Sequence, residues 1–138
     1  MIKSATPYLF FFGKANEAIG HYERALGAKA KTKQTFGAMA KEGSTWADKI
    51  MHCELEVGEA LILLSDGRPH PGVAPTNASM SVALQLDDEA EARRAFDVLA
   101  EGGNVHEKLF DAPWGGIFGV VEDRYGINWM FTAPKNAK

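Results

Sequence analysis

Residues 6–27 read TPYLFFFGKANEAIGHYERALG, and residues 79–103 read SMSVALQLDDEAEARRAFDVLAEGG. Each stretch passes from a β-type run into a helical run and then meets glycine. In the first, Thr6 to Phe12 is apolar and aromatic and stops at Gly13, as a strand does. Ala18, Ile19, Tyr22, Ala25 and Leu26 then recur at helical spacing, and Gly27 supplies a C-terminal stop. In the second, Ser79 to Leu86 reads as a strand, and Asp87 or Asp88 can cap a helix faced by Ala92, Ala95, Phe96 and Leu99 before Gly102-Gly103 ends it. Leu9 and Tyr22 stand 13 residues apart, as do Ala83 and Phe96, so the two stretches can be laid over each other.

Outward from these stretches the order of elements repeats. Ala28 to Phe36 alternates as a strand, with Lys29, Lys31 and Lys33 on one side as a solvated face. A polar, Gly-containing loop follows over 37–48, and Ile50 to Val57 and Ala60 to Leu64 flank Gly58-Glu59, a two-residue hairpin signal. In the second half Val105 to Phe110 is a strand, Pro113 to Gly116 a turn, and Ile117 to Glu122 and Ile127 to Thr132 two more strands. The pattern of strand, helix and three strands thus occurs twice, which places the chain in the α+β class. Residues 1–67 form the first module, 76–135 the second, and 68–75 the Pro- and Gly-rich linker, all within one domain of 138 residues. Ferredoxin-like domains also repeat strand-helix-strand units, but three strands after each helix argue against that arrangement.

Composition bounds the function. Apolar residues at 46% and charged residues at 24% indicate a globular chain rather than a disordered one. No run approaches the roughly 18 apolar residues of a membrane span, so no membrane partner is expected. Met1 to Thr6 lacks the apolar core of a secretory signal, and a single cysteine, Cys53, forms no internal disulfide. A reducing compartment, the cytoplasm, is the expectation. The net charge of −3 with scattered Lys and Arg provides no nucleic-acid surface.

The stretches Thr6-Pro7-Tyr8-Leu9-Phe10-Phe11, His21-Tyr22-Glu23-Arg24-Ala25-Leu26-Gly27 and Ile50-Met51-His52-Cys53-Glu54-Leu55 resemble PhnB-like proteins. So do Trp114-Gly115-Gly116-Ile117-Phe118-Gly119 and Glu122-Asp123-Arg124-Tyr125-Gly126-Ile127-Asn128-Trp129-Met130. These belong to the vicinal oxygen chelate superfamily, with glyoxalase I, extradiol dioxygenases and fosfomycin- and bleomycin-resistance proteins. The resemblance covers nearly the whole chain. It implies two βαβββ modules, each curling its sheet into a half-open barrel, and a homodimer with a concave small-molecule pocket built by pairing modules. Some relatives carry a demethylubiquinone methyltransferase label, but nothing in this sequence resembles a methyl-donor site.

The resemblance also locates where a metal would be held. Metal-using members place His, Glu or Gln on concave strand faces, where a divalent ion polarises two adjacent substrate oxygens. The matching positions here are Pro7, Ser81 and Met130. Proline has no side-chain donor, serine is a poor lone ligand, and a thioether suits soft metals only. The four histidines, His21, His52, His70 and His106, show no ligand spacing among themselves. No metal site and no cofactor are expected.

On a strand alternate side chains share a face. His52, Glu54 and Glu56 should therefore point to the concavity, and Met51, Cys53, Leu55 and Val57 to the helix. In a partly dry pocket His52 and Glu54 would serve as base and orienting partner; a polar strand face satisfied by water, hydrogen bonds or a dimer contact is the alternative. Ser81, Ala83 and Gln85, with Asn128, Met130 and Thr132, should line the second module's concavity, with Trp129 buried beneath. Leu9 and Phe11 are expected to add apolar lining. Trp114, before two glycines, is either a movable wall over a ligand or a dimer anchor. No GxGxxG, P-loop or GxSxG pattern occurs, and Cys53 reads as an inert buried thiol. These features point to a metal-independent small-molecule-binding protein of the PhnB-like branch, with any catalysis resting on His52 and Glu54. A metal-dependent lyase or dioxygenase relative would require ligands not found, and a drug-sequestering, bleomycin-type protein would need an acidic, aromatic groove.

Overall fold

The computed structural model describes residues 1–37, 40, 45–67 and 80–136, so the linker at 68–75 and His70 lie outside the described residues. Two compact units divide the chain, residues 1–74 and 75–138. In the first the order is β1 (Tyr8–Phe10), α1 (Ala15–Leu26), β2 (Lys29–Thr35), β3 (Ile50–Val57) and β4 (Ala60–Ser65). The helical stripe read from the sequence buries Ala18, Ile19, Tyr22 and Ala25, and α1 packs on β3, whose Cys53 and Leu55 are fully buried. Gly27 takes the left-handed conformation (φ 64°) that lets its N–H return to the Glu23 carbonyl at 3.1 Å.

The sheet order is β1-β4-β3-β2, with β1 parallel to β4 and the other pairs antiparallel. Gly58 (φ 58°) turns the β3–β4 hairpin, where Val57 opposes Ala60. The β2–β3 pairing carries two irregularities that decide which way side chains face. Thr35 opposes Ile50 while Gln34 opposes His52, so Met51 is an extra residue and Ile50 turns into the core. Lys31 is likewise extra between Ala30 and Thr32. Lys29 consequently opposes Glu56 and Lys33 opposes Cys53, on opposite faces, instead of all three lysines sharing one side.

The second unit runs β5 (Ser81–Gln85), α2 (Glu89–Ala100), β6 (Asn104–Asp111), β7 (Ile117–Glu122) and β8 (Asn128–Ala133). Its sheet order, β5-β8-β7-β6, repeats the first, again with only the β5–β8 pair parallel. The structure is therefore α+β, built from two βαβββ modules, and each sheet is open rather than closed into a barrel. Asp88 is the residue that caps α2, accepting the Glu91 N–H at 2.9 Å. Ala92, Ala95, Phe96 and Leu99 of α2 are buried. No helix of the described residues is long and apolar enough to cross a membrane.

Two buried carboxylates tie loops to these layers. Asp66 accepts the N–H groups of Gly13 (2.7 Å) and Ala15 (2.9 Å) through Oδ1 and that of Ile50 (2.8 Å) through Oδ2. Asp123 accepts Trp129 Nε1–H at 2.8 Å, together with the Tyr125 and Ile127 N–H groups. Trp129 is fully buried, as the strand parity requires.

Candidate functional site

Within each unit one helix packs on one face of the four-stranded sheet, and the side chains of the opposite face are the candidates for function. In the first unit, β1 alternates so that Leu9 packs under α1, where Phe11 also lies edge-on to Tyr22. Leu9 and Phe11, expected to line a pocket, are thus core residues. Tyr8 and Phe10 face outward in their place, 39% and 42% exposed, with rings stacked at 5.0 Å and 12°. The slip has a definite cause. The connection from β1 to α1 spans residues 11–14, whereas that from β5 to α2 spans only 86–88, one residue fewer. Laying Leu9 over Ala83 at equal spacing therefore exchanges the two faces of β1. Phe12, at a left-handed φ of 51°, and Gly13, at 106°, accommodate the additional residue, and Asp66 clamps it.

His52 and Glu54 share the open face, as the β3 alternation implies. Their partners differ from those expected. Tyr8 Oη and His52 Nδ1 share a hydrogen bond of 2.9 Å, and the Thr32 hydroxyl donates to Glu54 Oε1 at 2.8 Å. Tyr8, not Glu54, is the group that orients the imidazole. Sequence reasoning missed Tyr8 because the β1 parity was inverted; the extra residue before α1 was the signal. Gln34 stands opposite His52 on β2, and Leu63 of β4 stands opposite both Tyr8 and Glu54. The face thus combines an imidazole, a phenol, a carboxylate and a stacked aromatic pair within one sheet.

Cys53, on the reverse of the same strand, has its thiol pushed up by burial, an effect that Lys33 opposes and that Glu23 and Glu54 reinforce. A thiol held protonated and out of solvent is a poor nucleophile. His21 is buried in α1 near Arg24. His106 sits on the edge strand β6, with Nε2 2.9 Å from Glu122 of β7.

In the second unit the cross-strand register sets three rows across the open face. Ser81 opposes Asn128, which opposes Glu122; Ala83 opposes Met130, which opposes Val120. The third row joins Gln85, Thr132, Phe118 and Phe110. Ser81, Gln85, Asn128 and Met130 thus do lie on one face, but Asn128 is buried and its amide donates to the Met80 carbonyl at 3.2 Å. That contact makes Asn128 a strand-end clamp rather than lining. Trp114 is 68% exposed and meets Phe118 edge-on at 5.6 Å. Beside it lies an open depression of about 310 Å³, bounded by Gln85, Leu86, Gly115, Gly116, Thr132 and Pro134.

Among the described residues, Pro7, Ser81 and Met130 stand where metal-using relatives would hold their ligands. Pro7 gives its carbonyl to the Leu63 N–H at 2.9 Å, and Met130 sits between Ala83 and Val120. Among the described residues no three His, Cys, Asp or Glu side chains converge on a point that could hold a metal ion.

Comparison with known proteins agrees with this architecture. Protein YjdN of Escherichia coli (strain K12) is 30% identical over 141 residues, spanning 94% of this chain and 95% of its own. The crystal structure of PA1353 from Pseudomonas aeruginosa is 36% identical with a TM-score of 0.79, covering 98% of this chain and all of that one. A PhnB protein from Bacillus cereus shares the fold at the same TM-score of 0.79 and 23% identity, over 95% of this chain and 99% of its own. Residues 6–131 match the Glyoxalase/Bleomycin resistance protein/Dioxygenase superfamily. With its two βαβββ modules and these relatives, the chain belongs to that superfamily.

Proposed function

We propose that the protein binds a small molecule without help from a divalent metal ion, and that His52 is the titratable group it presents to that molecule. The observation that carries this is the 2.9 Å hydrogen bond between Tyr8 Oη and His52 Nδ1 on an uncovered sheet face. A hydrogen bond at one ring nitrogen holds the imidazole plane and leaves Nε2 to meet a ligand. That is the arrangement of a positioned acid–base group. The donor set on the same face points the same way: one imidazole and one carboxylate already engaged by Thr32 do not make a divalent site. A homodimer in the cytoplasm completes the proposal, supported by the lone buried Cys53 and by the uncovered sheet face of each unit.

The test is elemental analysis of the purified protein, paired with thermal-shift titration against Zn²⁺, Ni²⁺, Mn²⁺ and Fe²⁺. An ion that binds only the folded state at about 100 times its Kd adds roughly 2.7 kcal/mol of stability, a readily visible rise in the midpoint. No metal and no saturable rise are expected. Stoichiometric metal, or a saturable rise that His52→Ala abolishes, would overturn the proposal in favour of a metal-dependent lyase or dioxygenase relative. Light scattering on the same sample gives the oligomeric state, and a monomer would remove the dimer from it.

A further inference from the structure

We infer that the Trp114 end of the second sheet is a binding site for a neutral, planar ring that carries a hydrogen-bonding edge, such as a lactam or a ring carboxamide. The inference deepens the small-molecule proposal and rests on it, but it does not involve His52. Its basis is the row Gln85–Thr132–Phe118–Phe110, in which each residue opposes the next across neighbouring strands. With strands about 4.8 Å apart, four of them span about 14 Å, so the row has a polar half and an aromatic half within reach of one small molecule. Phe118 is held between two aromatic neighbours, Phe110 at 6.0 Å and 80° and Trp114 at 5.6 Å and 71°. The indole of Trp114 is largely exposed, which leaves a broad apolar surface in water unless something stacks on it.

The polar half is equally specific. Gln85 and Thr132 border the 310 Å³ depression. A carboxamide offers one acceptor and two donors in a plane, and a hydroxyl offers both, so together they complement an edge bearing C=O and N–H side by side. The depression is kept open by glycine. Gly115 and Gly116 adopt φ of 105° and 75°, and a Cβ on Gly116 would fall 2.4 Å from the Ala133 carbonyl oxygen. Ala83, in the adjoining row, adds little bulk.

Charge decides the ligand class. The row contains no ionisable side chain, and of the charges near this end of the sheet Lys135 is paired with Asp111 and Arg93 with Glu89, each at 2.8 Å. A cationic or anionic ligand would lose its hydration here without gaining a counter-charge. A neutral one loses nothing comparable, and stacks.

The experiment is NMR titration of uniformly ¹⁵N-labelled full-length protein with four ring probes. These are 2-quinolinone, naphthalene, quinoline-2-carboxylate and N-methylquinolinium. 2-Quinolinone is expected to move the Trp114 indole N–H and the Gln85 side-chain NH₂ signals saturably, and to bind at least threefold more tightly than the other three. Gln85→Leu, at an exposed position, should weaken it roughly two- to tenfold, the usual effect of removing one hydrogen-bonding partner. Trp114→Ala should weaken all four probes. Naphthalene binding as well as 2-quinolinone would reduce the row to a greasy surface and overturn the inference. So would tighter binding of either charged probe, signal changes confined to other residues, or no saturable shift up to the solubility of 2-quinolinone. None of these outcomes bears on metal binding, so the two proposals fail separately.

Discussion

Replacing Asp66 by alanine should destabilise the first unit by about 3–5 kcal/mol, more than any loop residue normally contributes. Asp66 is fully buried and its two oxygens accept three backbone N–H groups, from Gly13, Ala15 and Ile50. Those donors belong to the β1–α1 turn, the first residue of α1 and the first residue of β3. Lys14 precedes α1 but makes no side-chain cap, so Asp66 supplies from a distance what an N-cap residue normally supplies locally. Each buried N–H left without an acceptor costs about 1–3 kcal/mol. Water entering the vacated space recovers part of that, which brings the sum to the lower half of the range. Against a total stability of roughly 7–20 kcal/mol for 138 residues, the loss is a large fraction. Asp66→Asn separates the terms. Its amide oxygen can retain the two N–H groups bound by Oδ1, while its NH₂ would face the Ile50 N–H, donor against donor. The asparagine variant should lose about 2 kcal/mol and fall between wild type and alanine. Urea unfolding followed by far-UV circular dichroism measures both, and an unchanged slope against urea would show that native stability is what changed. A loss under about 1 kcal/mol for Asp66→Ala, or an asparagine variant no better than the alanine one, would refute the reasoning.

Trp129→Phe removes the 2.8 Å bond to Asp123 and leaves a buried carboxylate oxygen short of a donor, so it should cost about 1–3 kcal/mol in the same assay. Glu89 has its carboxyl held below the ordinary range by the Asn136 N–H, and to a lesser degree by Arg93. Because the folded value is the depressed one, the contact is intact above the unfolded value and is lost as pH falls through the folded value. Amide exchange at Asn136, corrected for intrinsic rates, should therefore accelerate only once pH has fallen below the ordinary glutamate range, and Glu89→Ala should abolish that acceleration. Cys53 should resist iodoacetamide in the native protein at neutral pH and react only at the rate of unfolding, since burial both raises and shields its thiol. Rapid native labelling would contradict its placement.

The repeat itself was legible because each helix stripe and each terminal glycine is a local signal. The β3 parity was legible too, and it placed His52 and Glu54 on one face correctly. What local signals do not carry is the number of residues spent in a connection. The four residues between β1 and α1, against three between β5 and α2, inverted the first strand and hid Tyr8 and Phe10 behind Leu9 and Phe11. The same lesson applies at Lys31 and Met51, where single extra residues turn β2 and β3 over. Strand periodicity is two, so one residue exchanges core for surface. The partners of His52 and Glu54 were invisible for a related reason: Tyr8 and Thr32 lie 44 and 22 positions away, and only the pairing order β1-β4-β3-β2 brings them near.

The two units share one construction and diverge on the face it leaves bare. In both, a residue just past the fourth strand reaches back to the start of the helix, Asp66 to Ala15 and Asn136 to Glu89. This fastening fixes the helix on one side of the sheet and leaves the other side open, since one helix has only one apolar stripe to offer. The open faces then carry different chemistry. In the first unit, Tyr8, His52, Thr32 and Glu54 place a hydrogen-bonded imidazole beside a carboxylate, groups that exchange protons or hold charge. In the second, Gln85, Thr132, Phe118 and Trp114 place hydrogen-bonding edges beside aromatic surface, groups that hold a neutral ring. A duplicated module needs only its buried face to preserve the fold, so its bare faces are free to specialise. Acid–base chemistry and ring recognition are separable tasks, and the two proposals set them on separate sheets. Substitutions at Gln85 or Trp114 should therefore alter ring preference, the readout specific to the second sheet.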